Sequence, residues 1–196
     1  GRAVFSLRIE REGPIPPPPF VVAANHYSHL DPAVVGAVLG TPVRFLALRD
    51  LLGESRFLDW VLIGSGAIPT PRRGVPLAAV RTALTALESA QVVGVFPEST
   101  RVSHWGTVAP RRGAAWLARR AGVPLVPVAL IGTGRAFDLD NRIHRAPITV
   151  VVGRALDTGG ADSWALTGRW EGWVTSRIER HPGSEADGPP RAFHET

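Results

Sequence analysis

Five short apolar runs constrain this chain more than any other feature: FVVAA (20–24), VRFLAL (43–48), QVVGVF (91–96), VPLVPVALIG (123–132) and ITVVVGR (148–154). Each is of strand length and bounded by polar or Gly/Pro segments, so each reads as a strand, and the most apolar as buried strands. Segments with helical spacing lie between them. Asp31-Pro32 opens a helix that runs to about Leu39 and stops at Gly40; Asp can cap, and Pro costs nothing in the first turn. Residues 50–63 read as a short helix with Leu51, Leu52, Phe57, Leu58 and Val61 on its apolar side. Val75, Ala79, Leu84 and Leu87 recur at helical spacing, residues 111–121 form a helix ended by Gly122, and residues 163–180 form a last one. Strands alternating with helices argue an α/β fold.

The remaining stretches fit around that frame. VFSLRIER within 1–13 alternates loosely and reads as a first strand. PIPPPP (14–19) is a stiff, extended connector. GSGAIPTPRRG (64–74) is a small strand and a loop. In the last helix, Leu166, Trp170, Trp173, Val174 and Ile178 share one stripe. Tryptophans there suit core packing better than a membrane interface. Residues 1–180 are expected to form one domain and 181–196 a flexible tail, since no repeat and no second core is visible.

Composition narrows the function classes. The 196 residues are 44% hydrophobic and 20% charged, as in an ordinary globular chain, and no apolar run reaches the roughly 18 residues that span a bilayer. There is no Cys, which removes disulfides, thiolate nucleophiles and Cys-ligated zinc, and fits a reducing cytosol. All 22 basic residues are Arg, and the net charge of +5 favours anionic partners such as phosphates or acidic lipid headgroups. A nucleic-acid role is disfavoured: only one Tyr is present, no recognised motif appears, and the Arg residues are spread along the chain. The opening residues carry no signal-peptide pattern. With Gly rather than Met at position 1, a preceding amphipathic helix or membrane anchor stays open.

Three polar loops carry the candidate chemistry. The first is NHYSHLD (25–31), at the joint between the run FVVAA and the helix after it. On one continuous helix His26 and Asp31 would lie about 140° apart. A strand–loop–helix joint can bring them together, and a His oriented by a carboxylate is a good general base. The bland alternative is a capping Asp31 beside a His26 that pairs within the loop. His26, His29 and Asp31 are an acceptable metal set by type, but three ligands within six residues rarely close a site and no fourth stands out. Ser28 lies outside any G-x-S-x-G elbow and reads as a hydrogen-bonding turn residue.

The second loop is FPESTR (96–101), also at a strand end, where ligands of open α/β sheets gather. Glu98 can orient a hydroxyl or support the loop. Ser99, Thr100 and Arg101 offer N–H, hydroxyl and guanidinium groups to a phosphate. The third loop is PRRG (71–74), whose Arg72 can share that phosphate with Arg101.

In this order the loops resemble the glycerophospholipid acyltransferases, typified by 1-acylglycerol-3-phosphate O-acyltransferase. Asn25-His26-Tyr27-Ser28-His29-Leu30-Asp31 is similar to the family's N-H-x-x-x-x-D block. IPTPR, ending in Arg72, is similar to its second block, with Pro71 where Asp is common. Phe96-Pro97-Glu98-Ser99-Thr100-Arg101 resembles F-P-E-G-T-R, with Ser99 in place of Gly. Gly suits such a position where backbone approaches substrate or φ is positive. Val123-Pro124-Leu125-Val126-Pro127-Val128 resembles V-P-x-x-P-V. The likeness covers roughly residues 15–180.

The resemblance implies a single-domain, mixed but mostly parallel sheet flanked by helices. It also implies transfer of an acyl group from a thioester, acyl-CoA or acyl-carrier protein, to the hydroxyl of a lysophospholipid, foremost 1-acylglycerol 3-phosphate. His26 would be the base and Asp31 its orienting acid, with direct attack and no acyl-enzyme. Arg72, Glu98, Ser99, Thr100 and Arg101 would serve the acceptor's phosphate. No metal or organic cofactor is expected. The protein would work in the cytoplasm, docked peripherally on the inner face of the cell membrane through anionic lipid. The rivals are the same chemistry on glycerol 3-phosphate, another lysolipid or a glycolipid, and a non-catalytic lipid-binding relative.

Overall fold

The apolar runs pair side by side as expected, and their order sets up the site. In the computed structural model, which describes residues 5–48, 63–71, 76–139 and 142–181, one seven-stranded sheet runs through the molecule. Its strands are β1 (Phe5–Arg11), β2 (Phe20–Ala24), β3 (Val43–Leu48), β4 (Ile68–Thr70), β5 (Val92–Val95), β6 (Leu125–Ile131) and β7 (Ala146–Val152). They lie in the order β1-β7-β6-β2-β5-β3-β4. β2 to β6 are mutually parallel, β7 runs antiparallel to β6, and β1 lies parallel to β7. The sheet is therefore mixed and mostly parallel.

Burial on both faces explains why β2 and β6 read as unbroken apolar runs: every residue of each is buried. Successive side chains alternate between faces. Val21 and Ala23 join the core on one side, whereas Phe20, Val22 and Ala24 join the core on the other. β1 is the exception. It is an edge strand, with Leu7 and Ile9 exposed, which accounts for its looser alternation.

The helices are α1 (Asp31–Leu39), α2 (Leu77–Glu88), α3 (Gly113–Ala121), the short α4 (Thr133–Ala136) and α5 (Ser163–Glu179). Gly40 and Gly122 end α1 and α3 in the left-handed conformation, each with φ of 66°. One expectation fails at the start of α1. The residue before the helix is Leu30, with no side-chain cap, and Asp31 is already helical. Its carboxylate turns back to the preceding loop, where three donors compete for it more strongly than the helix N-terminus. In α2 the buried residues are Ala79, Ala83, Ala86 and Leu87, with Leu84 half-buried. α4 has no counterpart among the expected elements.

α5 packs its stripe inward. Leu166, Trp170 and Val174 are buried, and Trp173 and Ile178 are half-buried against the same core. The Trp170 indole N–H donates to the Ala23 carbonyl at 2.9 Å, which ties α5 to the end of β2. Removing so large a buried ring typically costs about 3–5 kcal/mol. Among the described residues no helix is long and apolar enough to cross a membrane. The expected helix at 50–63 (but for its last residue), Val75 and residues 182–196 of the expected tail lie outside the described residues.

Candidate active site

The site grows from the carboxyl end of β2, the central strand, beside the parallel end of β5. Asn25 continues β2 with its side chain. Its Nδ2–H donates to the Leu130 carbonyl at 2.8 Å, and the Leu130 N–H donates to its Oδ1 at 2.7 Å. The buried amide thus takes both main-chain groups of a β6 residue, as a neighbouring strand would. The chain can then leave the sheet without orphaning them.

The loop that follows wraps around one oxygen. Asp31 Oδ2 accepts from the Tyr27 N–H at 2.7 Å and from the Ser28 N–H at 2.8 Å. The same atom lies 2.9 Å from His26 Nδ1. A carboxylate oxygen can only accept here, so Nδ1 carries the proton and Nε2 holds the lone pair. Asp31 is fully buried, whereas the His26 side chain keeps 16% of its surface exposed. The imidazole is held flat: it stacks on Phe96 at 3.9 Å between centroids, and Phe96 stacks on Phe45 at 4.7 Å. Gly94 makes room for this stack. A Cβ there would fall 2.4 Å from the Phe45 ring.

Ser28 is a turn residue. Its buried hydroxyl donates to the Phe137 carbonyl at 2.8 Å and accepts from the Leu30 N–H at 3.2 Å. It is committed to the loop rather than poised for attack. His29 is buried, and desolvation together with the charge of Arg101 lowers its pKa to about 4. It is therefore neutral at physiological pH. Among the described residues no group of three His, Cys, Asp or Glu is arranged to hold a metal ion.

The loop after β5 meets the first loop at its backbone. The His26 N–H donates to Glu98 Oε1 at 3.2 Å, and the Val102 N–H donates to the His26 carbonyl at 2.9 Å. Glu98 is buried, and desolvation raises its pKa to about 7, with the negative charges of Asp31 and Glu171 adding to the shift. Its carboxyl faces the His26 loop and supports it. Ser99 and Thr100 are exposed and Arg101 is half-buried. Ser99 has φ of 59°, a left-handed conformation that favours Gly. Pro71 is exposed just beyond β4, and Arg72 lies outside the described residues.

The structure thus brings His26, Asp31 and Glu98 together and presents Ser99 and Thr100 beside them. Two contributors, Asn25 and Phe96, stand in the blocks that resemble the family's, but the sequence assigns them no role: the clamp on Leu130 and the stack under His26 are visible only in the fold.

Comparison with known proteins shows the family and the fold. A family model described as Acyltransferase matches residues 6–131. The chain is 26% identical over 138 residues to the 1-acyl-sn-glycerol-3-phosphate acyltransferase of Bacillus subtilis, covering 70% of this chain and 66% of that protein. It is 37% identical over 134 residues to the human 1-acyl-sn-glycerol-3-phosphate acyltransferase alpha, covering 65% and 47%. This chain therefore spans between about half and two thirds of the length of those relatives. The crystal structure of the lysophosphatidate acyltransferase PlsC from Thermotoga maritima superposes with a TM-score of 0.73, at 22% identity, over 92% of this chain and 74% of that one. That likeness shows the fold. With the family model matching well over half of the chain, from within β1 to the end of β6, the chain belongs to the acyltransferase family.

Proposed function

We propose that this chain transfers a fatty acyl group from a thioester to the hydroxyl of a lysophospholipid, with 1-acylglycerol 3-phosphate as acceptor and phosphatidic acid as product. The observation that carries the reading is the contact of 2.9 Å between His26 Nδ1 and Asp31 Oδ2, which leaves Nε2 as a base. Relatives named as 1-acyl-sn-glycerol-3-phosphate acyltransferases support the choice of acceptor.

The step balances without a cofactor. Nε2 of His26 removes the proton of the acceptor hydroxyl as its oxygen attacks the thioester carbonyl carbon. The tetrahedral intermediate collapses, the C–S bond breaks, and the departing thiolate takes the proton from the imidazolium. The products are an ester and a free thiol, of coenzyme A or of acyl-carrier protein. Asp31 holds the tautomer and stabilises the imidazolium. A positioned base of this kind contributes about 10²–10⁴-fold, and holding the two substrates together supplies much of the rest. Arg72 and Arg101, with Ser99 and Thr100, bind the acceptor's phosphate, while Glu98 braces the loop that carries His26. The amphiphilic substrates place the protein at the inner face of the cell membrane as a peripheral enzyme.

The test follows thiol release from palmitoyl-CoA with a chromogenic reagent, with and without lysophosphatidate. The chain has no Cys and is silent in that assay. Acceptor-dependent release that His26→Ala abolishes is the expected result. Release unchanged in His26→Ala sinks the mechanism. Release only with glycerol 3-phosphate or another lysolipid keeps the chemistry and replaces the acceptor.

A further inference from the structure

One face of the molecule exposes what globular surfaces usually hide. Trp116 on α3 and Trp164 on α5 are 41% and 62% exposed, respectively. α3 and α5 pack against each other, and the Arg112 guanidinium lies 5.3 Å above the Trp164 ring, bridging the two helices. On α3 and at its N-cap, Arg112, Trp116, Arg119 and Arg120 fall within about 100° of arc, with the buried Ala114, Leu117 and Ala118 on the far side and the buried Ala115 flanking the arc. α3 contains no acidic residue, and the exposed positions in the first turns of α5 are Trp164, Ala165, Gly168, Arg169 and Gly172. Of the nearby acids, Asp162 caps α5 through the Ala165 N–H, and Glu171 is half-buried within electrostatic reach of Glu98.

We infer that this α3/α5 face is a docking surface for an anionic lipid bilayer. The proposal rests on the surface alone and does not depend on the acyl-transfer reading. Two exposed indoles interleaved with guanidinium groups match the headgroup layer, where Trp settles at the boundary of polar and apolar phases and Arg pairs with lipid phosphate. The excess positive charge selects an anionic membrane over a neutral one. The exposed residues lie on two helices that pack against each other, which can lie flat in a headgroup layer.

The test is co-sedimentation of the full chain with vesicles of phosphatidylcholine alone and with one quarter phosphatidylglycerol. Binding is expected to the anionic vesicles only, and to weaken as salt shortens the screening length. Arg119→Gln with Arg120→Gln should lower the partition constant roughly tenfold to thirtyfold, at about fivefold per Arg near a charged surface. The same charge change at Arg81 and Arg142 should lower it only slightly. Trp116→Ser with Trp164→Ser should weaken binding and remove quenching by brominated lipid. All four are surface changes, and unaltered thermal unfolding will show that each variant folds. Binding insensitive to both pairs of α3/α5 changes overturns the proposal. Absence of vesicle binding overturns it as well, and retention on an acidic carrier protein in that case assigns the face to a protein partner instead.

Discussion

The loops after β2 and β5 leave parallel strands at the same end of the sheet, yet they use their polar groups in opposite ways. In NHYSHLD nearly every polar group turns inward. Asn25 clamps Leu130, Ser28 reaches Phe137, and Asp31 gathers Tyr27, Ser28 and His26 around one oxygen. In FPESTR the Glu98 carboxyl is buried and Arg101 is half-buried, whereas Ser99 and Thr100 are exposed. The first loop is over-determined, so the imidazole it carries has one orientation. The second is closed by main-chain bonds, from the Ser99 N–H to the Phe96 carbonyl and from the Val102 N–H to the His26 carbonyl, each at 2.9 Å, and leaves Ser99 and Thr100 exposed. In the proposed mechanism the base needs fixed geometry and the phosphate subsite needs exposed groups, and the two loops would divide these requirements between them.

The division can be broken from the rigid side first. Asp31→Asn keeps an acceptor near the loop amides but removes the charge that stabilises the imidazolium. Acyl transfer should fall about 10²–10⁴-fold in kcat, with KM little changed, as measured by steady-state thiol release. A fall in KM-dependent terms alone would mean that Asp31 serves the substrate rather than His26. Asn25→Ala comes next. It orphans a buried N–H and a buried carbonyl of Leu130, at about 1–3 kcal/mol each, so urea unfolding should shift by that order. An unchanged midpoint would show that water replaces the clamp without cost.

Glu98→Gln probes the buried carboxyl of the second loop. The pKa of Glu98 is raised to about 7 in the fold from 4.5. The stability tied to its protonated form is therefore complete below pH 4.5 and lost as pH rises through about 7. The variant should gain on the wild type by up to about 3 kcal/mol between those limits. The difference between the two proteins is the quantity to measure. His29, lowered to about 4, makes stability rise with pH between about 4 and 6.5 and masks the slope in either protein alone. Parallel pH curves for wild type and variant would rule out a buried, charging Glu98.

The smallest effect belongs to the exposed side. Ser99 at φ 59° bears a Cβ where Gly is easier, so Ser99→Gly should raise stability by about 1 kcal/mol in urea unfolding. If the Ser99 hydroxyl also touches the acceptor, the same variant will raise KM, which separates a strained turn from a binding group.

Much of the frame was legible because it depends on local rules. The length of an apolar run distinguishes a covered strand, as in FVVAA and LVPVALI, and Gly40 and Gly122 end helices wherever the chain must turn left-handed. The His26–Asp31 spacing was legible as a possibility, and so was the unusual Ser99. Strand direction was not, because a period of two reads the same both ways; nothing in ITVVVGR announces that β7 opposes β6. The cap expected of Asp31 failed for a related reason. Residue type shows that a carboxylate will find donors, but whether they belong to the helix ahead or the loop behind depends on how the chain folds back.

By itself, then, the sequence determined an α/β frame with polar loops after apolar strands, since burial and turn chemistry act over a few residues. Only the tertiary structure decided what those loops do. Asn25 meets Leu130 across 105 positions of chain, and Glu98 meets His26 across 72. Such contacts form only once the sheet has set which strands are neighbours, and no local pattern encodes that order.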